Sequence, residues 1–272
     1  RPTWREPLEG RFRGRRILTV PPPSSGGLLL LQALEILEGL PLEAERRANS
    51  AFDGGEEGAA AGLTPRVLHW WIEILRRGFA DRAQHLGDPD FHAVPARELL
   101  DPSWIAARRT SIGERAQPGV GPWAPPAPGG DETTHLCVVD GEGNAVSLTT
   151  SLNTSFGSGI LVPGAGFLLN NHIDDFSIEA GAANAYGLVG SSANRLEPGK
   201  RPLSSMAPTV VLREDGGLEL VLGSPGGPRI VSALFQVLAR HLVHGEALEF
   251  AVRAPRLHQQ WNPSSTLVEP GW

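Results

Sequence analysis

Hydroxyl side chains near the middle of the chain are the first place where covalent chemistry could be done. Two apolar, β-branched runs, 136–139 and 145–152, flank the turn residues Asp140, Gly141, Gly143 and Asn144. Glycines supply positive φ and Val, Thr and Leu suit a pleated surface, so the stretch reads as a β-hairpin. If it is symmetric about Glu142, Thr133 faces Ser151; a shorter turn moves the partner to Thr150. Two strands would then bring hydroxyls together at the start of the first one. On composition alone, threonines and serines that merely fill a strand are the simpler reading. A threonine hydroxyl is a poor nucleophile at its free pKa and needs a base beside it. His135, two residues on, invites a Ser-His-Asp arrangement. Residues two apart on a strand sit about 7 Å from each other, however, too far for a direct hydrogen bond. We therefore read His135 as structural.

Other polar groups are weaker signals when taken singly. Gly226-Gly227, immediately before Pro228 at a helix start, could let backbone N–H groups approach a developing oxyanion, although such a pair is more often a turn. Ser204-Ser205 reads as an ordinary loop and Asp174-Asp175 as a solvated turn. Asp88 and Asp90, either side of Pro89, fit a turn better than acid–base chemistry. The eight histidines are scattered and no Cys-x-x-Cys occurs, so no metal or other cofactor is implied. His69, His85, His92, His241, His244 and His258 read as surface or helix-end residues.

The elements that must hold these groups follow from periodicity and punctuation. Residues 16–20 read as a strand stopped by Pro21-Pro-Pro23. Ser24 or Ser25 could cap a helix over 28–38, with Gly39 as its stop. No Gly-Lys-Ser/Thr follows the glycines there, which rules out a P-loop. Thr64-Pro65 opens a second helix over 66–79, with Trp70 and Trp71 as core, and a short helix covers 102–110. The Pro- and Gly-rich segment 113–130 can neither pair as a strand nor continue a helix, and reads as a tether. Beyond the hairpin we expect a strand over 166–170, then a long polar loop over 177–202 that contains Tyr186. A second hairpin joins 207–213 to 218–224. The last helix runs over 229–244, apolar through Ile230, Leu234, Val237 and Leu238, and ends at Gly245.

Several of these stretches closely resemble one family. Thr133-Thr-His-Leu-Cys-Val-Val-Asp140, Asn153-Thr-Ser-Phe-Gly157 and Leu169-Asn-Asn-His-Ile-Asp-Asp-Phe-Ser177 are similar to the γ-glutamyltransferases. So are Pro21-Pro-Pro-Ser-Ser-Gly-Gly27, Leu86-Gly-Asp-Pro-Asp-Phe91 and Ser224-Pro-Gly-Gly-Pro-Arg229. The family are N-terminal-nucleophile hydrolases whose precursor cuts itself before the first Thr of the Thr-Thr-His segment. The resemblance implies a cut between Glu132 and Thr133, with Thr133 as nucleophile and its new α-amine as base. Ser151 would orient Thr133, and Gly226 and Gly227 would form the oxyanion hole. Asn153, His172 and Asp175 would lie at the substrate amine, Ser204 and Ser205 at its carboxylate, and 177–202 with Tyr186 would be a lid. The fold implied is α+β, a four-layer αββα sandwich that is incomplete here at its N-terminus. Residues 1–132 would be the latter part of the large subunit and 133–272 most of the small one. The implied partners are a γ-glutamyl donor such as glutathione, an amino acid or peptide acceptor, and the two subunits of one precursor.

Three departures from the family pattern bear on substrate. Ser151 stands where many relatives have threonine, and His172 where they commonly carry Gln or Glu. The arginine that clamps the donor carboxylate in the family lies in a part missing here. Two alternatives follow: an acylase of the same architecture acting on β-lactam side chains, or an inert fragment of a larger protein.

Composition limits the choice further. At 272 residues the chain can bury one sizeable core. Its 40% hydrophobic and 20% charged residues are ordinary for a globular protein, and a formal net charge of -6 argues against nucleic acid as a partner. The single cysteine, Cys137, excludes an internal disulfide framework. The single methionine is Met206, so the chain reads as an internal fragment or processed product. Relatives by resemblance are periplasmic or extracellular, and that compartment is the expectation.

Overall fold

One helix is buried along almost its whole length, and the rest of the fold is built to cover it. In the computed structural model, which describes residues 2–50, 63–116, 133–179 and 181–272, Leu28, Leu30, Ile36 and Leu37 of this helix are all fully buried. So wide an apolar surface must be covered on several faces, and only Glu35 and Glu38 reach toward solvent.

The chain enters through β1 (Leu8–Phe12) and β2 (Arg15–Thr19) before the central helix α1 (Gly26–Glu38). Helices α2 (Leu42–Ser50), α3 (Pro65–His85), α4 (Ala96–Leu99) and α5 (Pro102–Thr110) follow. The central hairpin is β3 (Thr133–Val139) and β4 (Ala145–Ser151), and the second is β5 (Thr209–Leu212) and β6 (Leu218–Leu222). Helices α6 (Arg229–Leu242) and α7 (Leu248–Arg253) and the short strands β7 (Leu257–His258) and β8 (Leu267–Val268) end it.

Strands from the two ends of the chain share one antiparallel sheet in the order β1-β2-β5-β6, with Arg16 opposite Leu212 and Thr19 opposite Thr209. Helix α1 packs on β1 and β2 and is flanked by α3, α5 and α6, while the β3–β4 hairpin packs through β4 on β5 and β6. The architecture is α+β, and these are a helical layer, a sheet and a second, two-stranded sheet. Trp71 of α3 meets Phe235 of α6 edge-on at 5.8 Å between ring centroids, a contact that adds about 0.5–1.5 kcal/mol beyond burial. Both Trp70 and Trp71 are core, as their spacing suggested.

The glycines that open α1 serve packing. A Cβ on Gly27 would come to 2.2 Å from the Val20 carbonyl oxygen, and one on Gly26 to 2.5 Å from the Ser205 and Met206 carbonyl oxygens. Only glycine lets the helix start sit this close to two strand ends.

Some elements differ from expectation. Of the two serines, Ser25 makes no side-chain cap bond, whereas Ser24 Oγ accepts the Gly26 N–H at 3.4 Å; the Ser24 and Ser25 hydroxyls themselves donate to the Met206 and Ser204 carbonyls. Helix α3 runs on past Phe79 to His85, because Asp81 and Arg82 point to buried polar partners and need not end it. The expected strand over 166–170 is reduced to an isolated bridge, Leu161 to Leu168, because left-handed turns at Gly159, Gly164 and Gly166 bound the pairing at both ends. The loop 177–202 contains a short 3-10 turn, Ser192–Asn194. His258 is buried at 5% exposure, not a surface residue, because it lies between α6 and the ring edge of Phe79. Residues 117–130 of the expected tether, and Glu132, lie outside the described residues. Among the described residues no helix is long and apolar enough to cross a membrane.

Candidate active site

The hairpin register decides where the first hydroxyl goes. Thr133 pairs with Ser151 and Val139 with Ala145, the symmetric alignment. Alternation then turns Thr133, His135 and Cys137, with Ser147, Thr149 and Ser151, toward the body of the protein. Thr133 is 5% exposed, and its Oγ1 lies 2.9 Å from Ser151 Oγ. Ser151 Oγ also accepts the Asn153 N–H at 2.9 Å, which fixes its position from a second side. His135 bonds Thr149 Oγ1 at 2.9 Å and contacts Cys137 at 3.2 Å, so its ring serves the strand pair. Burial pushes its pKa down, consistent with a neutral structural imidazole.

After β4 the chain turns sharply at Asn153, whose φ of 79° is a left-handed value that asparagine tolerates better than most residues. Its side chain donates to the Asn171 carbonyl at 3.0 Å and its own carbonyl accepts the Tyr186 hydroxyl. Next to it, His172 Nδ1 is 2.9 Å from Asp175 Oδ2 and Nε2 is 3.2 Å from the Ser151 carbonyl. A carbonyl and an ionised carboxylate can only accept, so both ring nitrogens donate and the ring is an imidazolium. Burial works against that charge, but the bond to Asp175 and its negative charge outweigh it, and the pKa of His172 is raised.

The serine pair is held by the proline-rich turn before α1. Ser204 N–H donates to the Pro23 carbonyl at 3.0 Å, and the Ser25 N–H and hydroxyl both donate to the Ser204 carbonyl, at 2.8 and 2.7 Å. Upstream, fully buried Asp88 accepts the Arg201 N–H and Nε–H, each at 2.9 Å. Asp88 and Asp90 thus act as an anchor for the segment that ends in Ser204-Ser205.

A small cavity of about 20 Å³, room for about one water, is lined by Thr133, Ser151, Asn153, His172, Asp175, Tyr186, Ser204, Ser205 and Gly227, with Leu188, Met206, Pro228 and Ile230. Gly226 lines a neighbouring cavity instead, with Ser224 and Arg229. Gly226 and Gly227 have φ of 117° and 56°, and a Cβ at Gly227 would meet the Tyr186 ring at 2.9 Å. Among the described residues, neither glycine N–H has a protein acceptor.

Sequence reasoning missed Arg82. It is almost fully buried, donates through Nε to Ser25 Oγ at 3.2 Å, and feels the charge of Asp175. Burial pushes its pKa down to about 10, so it remains charged at neutral pH. An arginine one turn beyond Phe79 on the buried face of α3 was the available signal.

A hydroxyl nucleophile candidate at a strand start, inside this α+β layering, defines the class of N-terminal-nucleophile hydrolases. The gamma-glutamyltranspeptidase family model matches residues 1–272, and the chain belongs to that family. It is 47% identical over 271 residues to the glutathione hydrolase proenzyme of Pseudomonas aeruginosa, covering 97% of this chain and 45% of that protein. Identity to the glutathione hydrolase proenzyme of Escherichia coli is 40% over 273 residues, 98% of this chain and 44% of that protein. Among solved structures, the cephalosporin acylase from Bacillus halodurans matches with a TM-score of 0.75 at 27% identity, over 100% of this chain and 44% of that one. The chain thus spans less than half the length of these relatives.

Proposed function

We propose that this chain carries the nucleophile and most of the donor site of a self-processing γ-glutamyltransferase. The observation that carries this reading is the 2.9 Å contact between Thr133 Oγ1 and Ser151 Oγ at the wall of the polar cavity. In the uncut chain the nitrogen of Thr133 is an amide and cannot take a proton. A cut between Glu132 and Thr133 makes it an amine with a reference pKa of about 8, partly neutral near pH 7. That amine takes the proton of Oγ1 as the oxygen attacks the γ-carbonyl of glutathione or a related amide. A C–O bond forms, the N–H groups of Gly226 and Gly227 stabilise the oxyanion, and the C–N bond breaks as the proton passes to the leaving amine. Water or an amino acid or peptide amine then resolves the acyl-enzyme. Ser204 and Ser205 hold the donor carboxylate, Asp175 and Asn153 its amine, and Tyr186 covers the site.

In this reading residues 1–132 belong to the large subunit and 133–272 to the small one, within one fold of a periplasmic or extracellular protein. The rest of the large subunit is the partner that supplies the carboxylate-clamping arginine and covers the apolar outer side of the β3–β4 hairpin. Denaturing electrophoresis with sequencing of the new N-terminus tests the cleavage. Two bands, one starting at Thr133, are expected together with release from a γ-glutamyl anilide; one persistent band supports the inert-fragment alternative.

A second reading, an acylase for glutaryl or cephalosporin side chains, is favoured by one observation. The His172 imidazolium already occupies Asp175 Oδ2, which weakens that carboxylate as a partner for a substrate ammonium. Faster hydrolysis of a glutaryl amide than of a γ-glutamyl anilide would decide for the acylase.

A further inference from the structure

Behind the cavity, a closed circuit of buried groups joins Tyr186 to the Gly226-Gly227 turn. Ser232 lies in the first turn and a half of α6, the helix that follows Gly227-Pro228. Its Oγ is 2.7 Å from His258 Nδ1, and His258 Nε2 is 2.8 Å from Gln260 Oε1. Gln260 Nε2 donates to the Tyr186 carbonyl at 3.0 Å. The Tyr186 ring then lies against Gly227, where a Cβ would approach it to 2.9 Å. All four polar residues of the circuit are buried.

The proton positions follow from chemistry. An amide oxygen can only accept, so His258 Nε2 carries hydrogen and Nδ1 is left to accept the Ser232 hydroxyl. Burial pushes the His258 pKa down to about 4, against the bond to Gln260 and with some help from Arg229, so one proton on the ring is the state at working pH. The ring is also held edge-on by Phe79 at 5.6 Å. The Gln260 amide is held at both ends, its oxygen by His258 Nε2 and its nitrogen by the Tyr186 carbonyl at 3.0 Å and the Asn262 carbonyl at 3.3 Å, so a change at His258 frees the end that reaches Tyr186.

Resting on the γ-glutamyltransferase reading, we infer that Gln260, oriented by His258, is a positioning residue that sets how Tyr186 closes over Gly227 and Thr133. Loosening the cover removes binding that ground and transition states share, so it should raise KM and leave kcat nearly unchanged.

The test uses the whole protein and a γ-glutamyl anilide. Wild type must cut at Thr133 and turn over; if it does not, the function reading fails and this inference falls with it. With wild type active, Gln260→Leu is expected to raise KM about tenfold, the worth of one buried hydrogen bond, with kcat within about twofold. Tyr186→Phe should do the same, and the double variant should match the singles, because both release one cover. His258→Gln, which keeps a donor near Nε2, should hold KM close to wild type, whereas His258→Ala should match Gln260→Leu. Should Gln260→Leu fail to fold, Gln260→Glu keeps the shape and removes the donor to Tyr186. Effects that multiply in the double variant, a fall in kcat at constant KM, or no effect at Gln260 would each overturn the inference.

Discussion

The two sides of the β3–β4 hairpin invert the usual arrangement of a surface ribbon. Its inward side carries Thr133, His135, Cys137, Ser147, Thr149 and Ser151; its outward side carries Leu136, Val138, Val146 and Leu148. The inward groups find partners: Ser147 Oγ donates to the Leu222 carbonyl at 3.0 Å and accepts the Thr209 N–H at 3.0 Å, while Cys137 donates to the Val221 carbonyl at 3.3 Å. The outward apolar groups pair with one another across the strands, Leu136 opposite Leu148 and Val138 opposite Val146, and stay open to solvent, with Val138 54% and Leu148 47% exposed. A contiguous apolar patch of this kind marks an interaction surface. One side of the ribbon is therefore organised for chemistry, the other for burial, and the two can be broken separately.

The largest effect belongs to the inward side. Thr133→Ala removes the proposed nucleophile and should abolish self-cleavage and lower γ-glutamyl release by more than about 10³-fold. Its fold should survive, since only a methyl and a hydroxyl change at a strand start. Electrophoresis and anilide hydrolysis read the outcome; a Thr133→Ala protein that still divides in two would remove Thr133 from the mechanism.

On the outward side the consequence is stability. In the whole protein Leu148→Ala should lower unfolding free energy by about 2–3 kcal/mol if that side is covered. In the isolated chain, where Leu148 meets water, the change should stay within about 0.5 kcal/mol. Denaturant midpoints of both forms make the comparison, and equal shifts would show that nothing covers the hairpin. Turnover per folded molecule should not move.

Local rules made much of this readable in advance. The observed register is the symmetric one of the two that the turn about Glu142 allowed, and α5 lies where a short helix over 102–110 was expected. What escaped were groups whose partners lie far along the chain. His258 looked like a surface or helix-end residue because nothing local reveals Ser232 beside it, and Arg82 drew no role because Ser25 is distant in sequence. The same distance hid the role of the proline-rich turn, whose contact with Ser204 is a backbone pairing that leaves no residue signature. The hydroxyl pair at Thr133 was different: hairpin geometry and motif resemblance pointed to one place.

A smaller effect is expected from Ser151→Ala. The hydroxyl lies 2.9 Å from Thr133 Oγ1 and accepts the Asn153 N–H. Losing it leaves the nucleophile in place but freer to turn, a change of about one hydrogen bond, or about tenfold in kcat. Ser151→Thr should restore the rate, because the hydroxyl returns on the same strand. A Ser151→Ala enzyme at full rate would mean that register, not this hydroxyl, aims Thr133.

The smallest effect separates the two sides by pH. His172 has its pKa raised in the folded protein, burial opposing and Asp175 prevailing. The folded state therefore holds its proton more tightly than the unfolded chain, whose ordinary imidazole value is 6.5. By linkage, the stabilisation from this pair is complete below the unfolded value and is lost as pH rises through the raised one. Denaturant midpoints of wild type and His172→Gln should differ most in mildly acid solution and converge as pH rises. The Leu148→Ala difference carries no ionisable group and should stay constant over the same range. A His172→Gln difference equally flat with pH would mean that the imidazole is held by shape and not by its charge on Asp175, and the argument for the acylase reading from a charged His172 on that carboxylate would go with it.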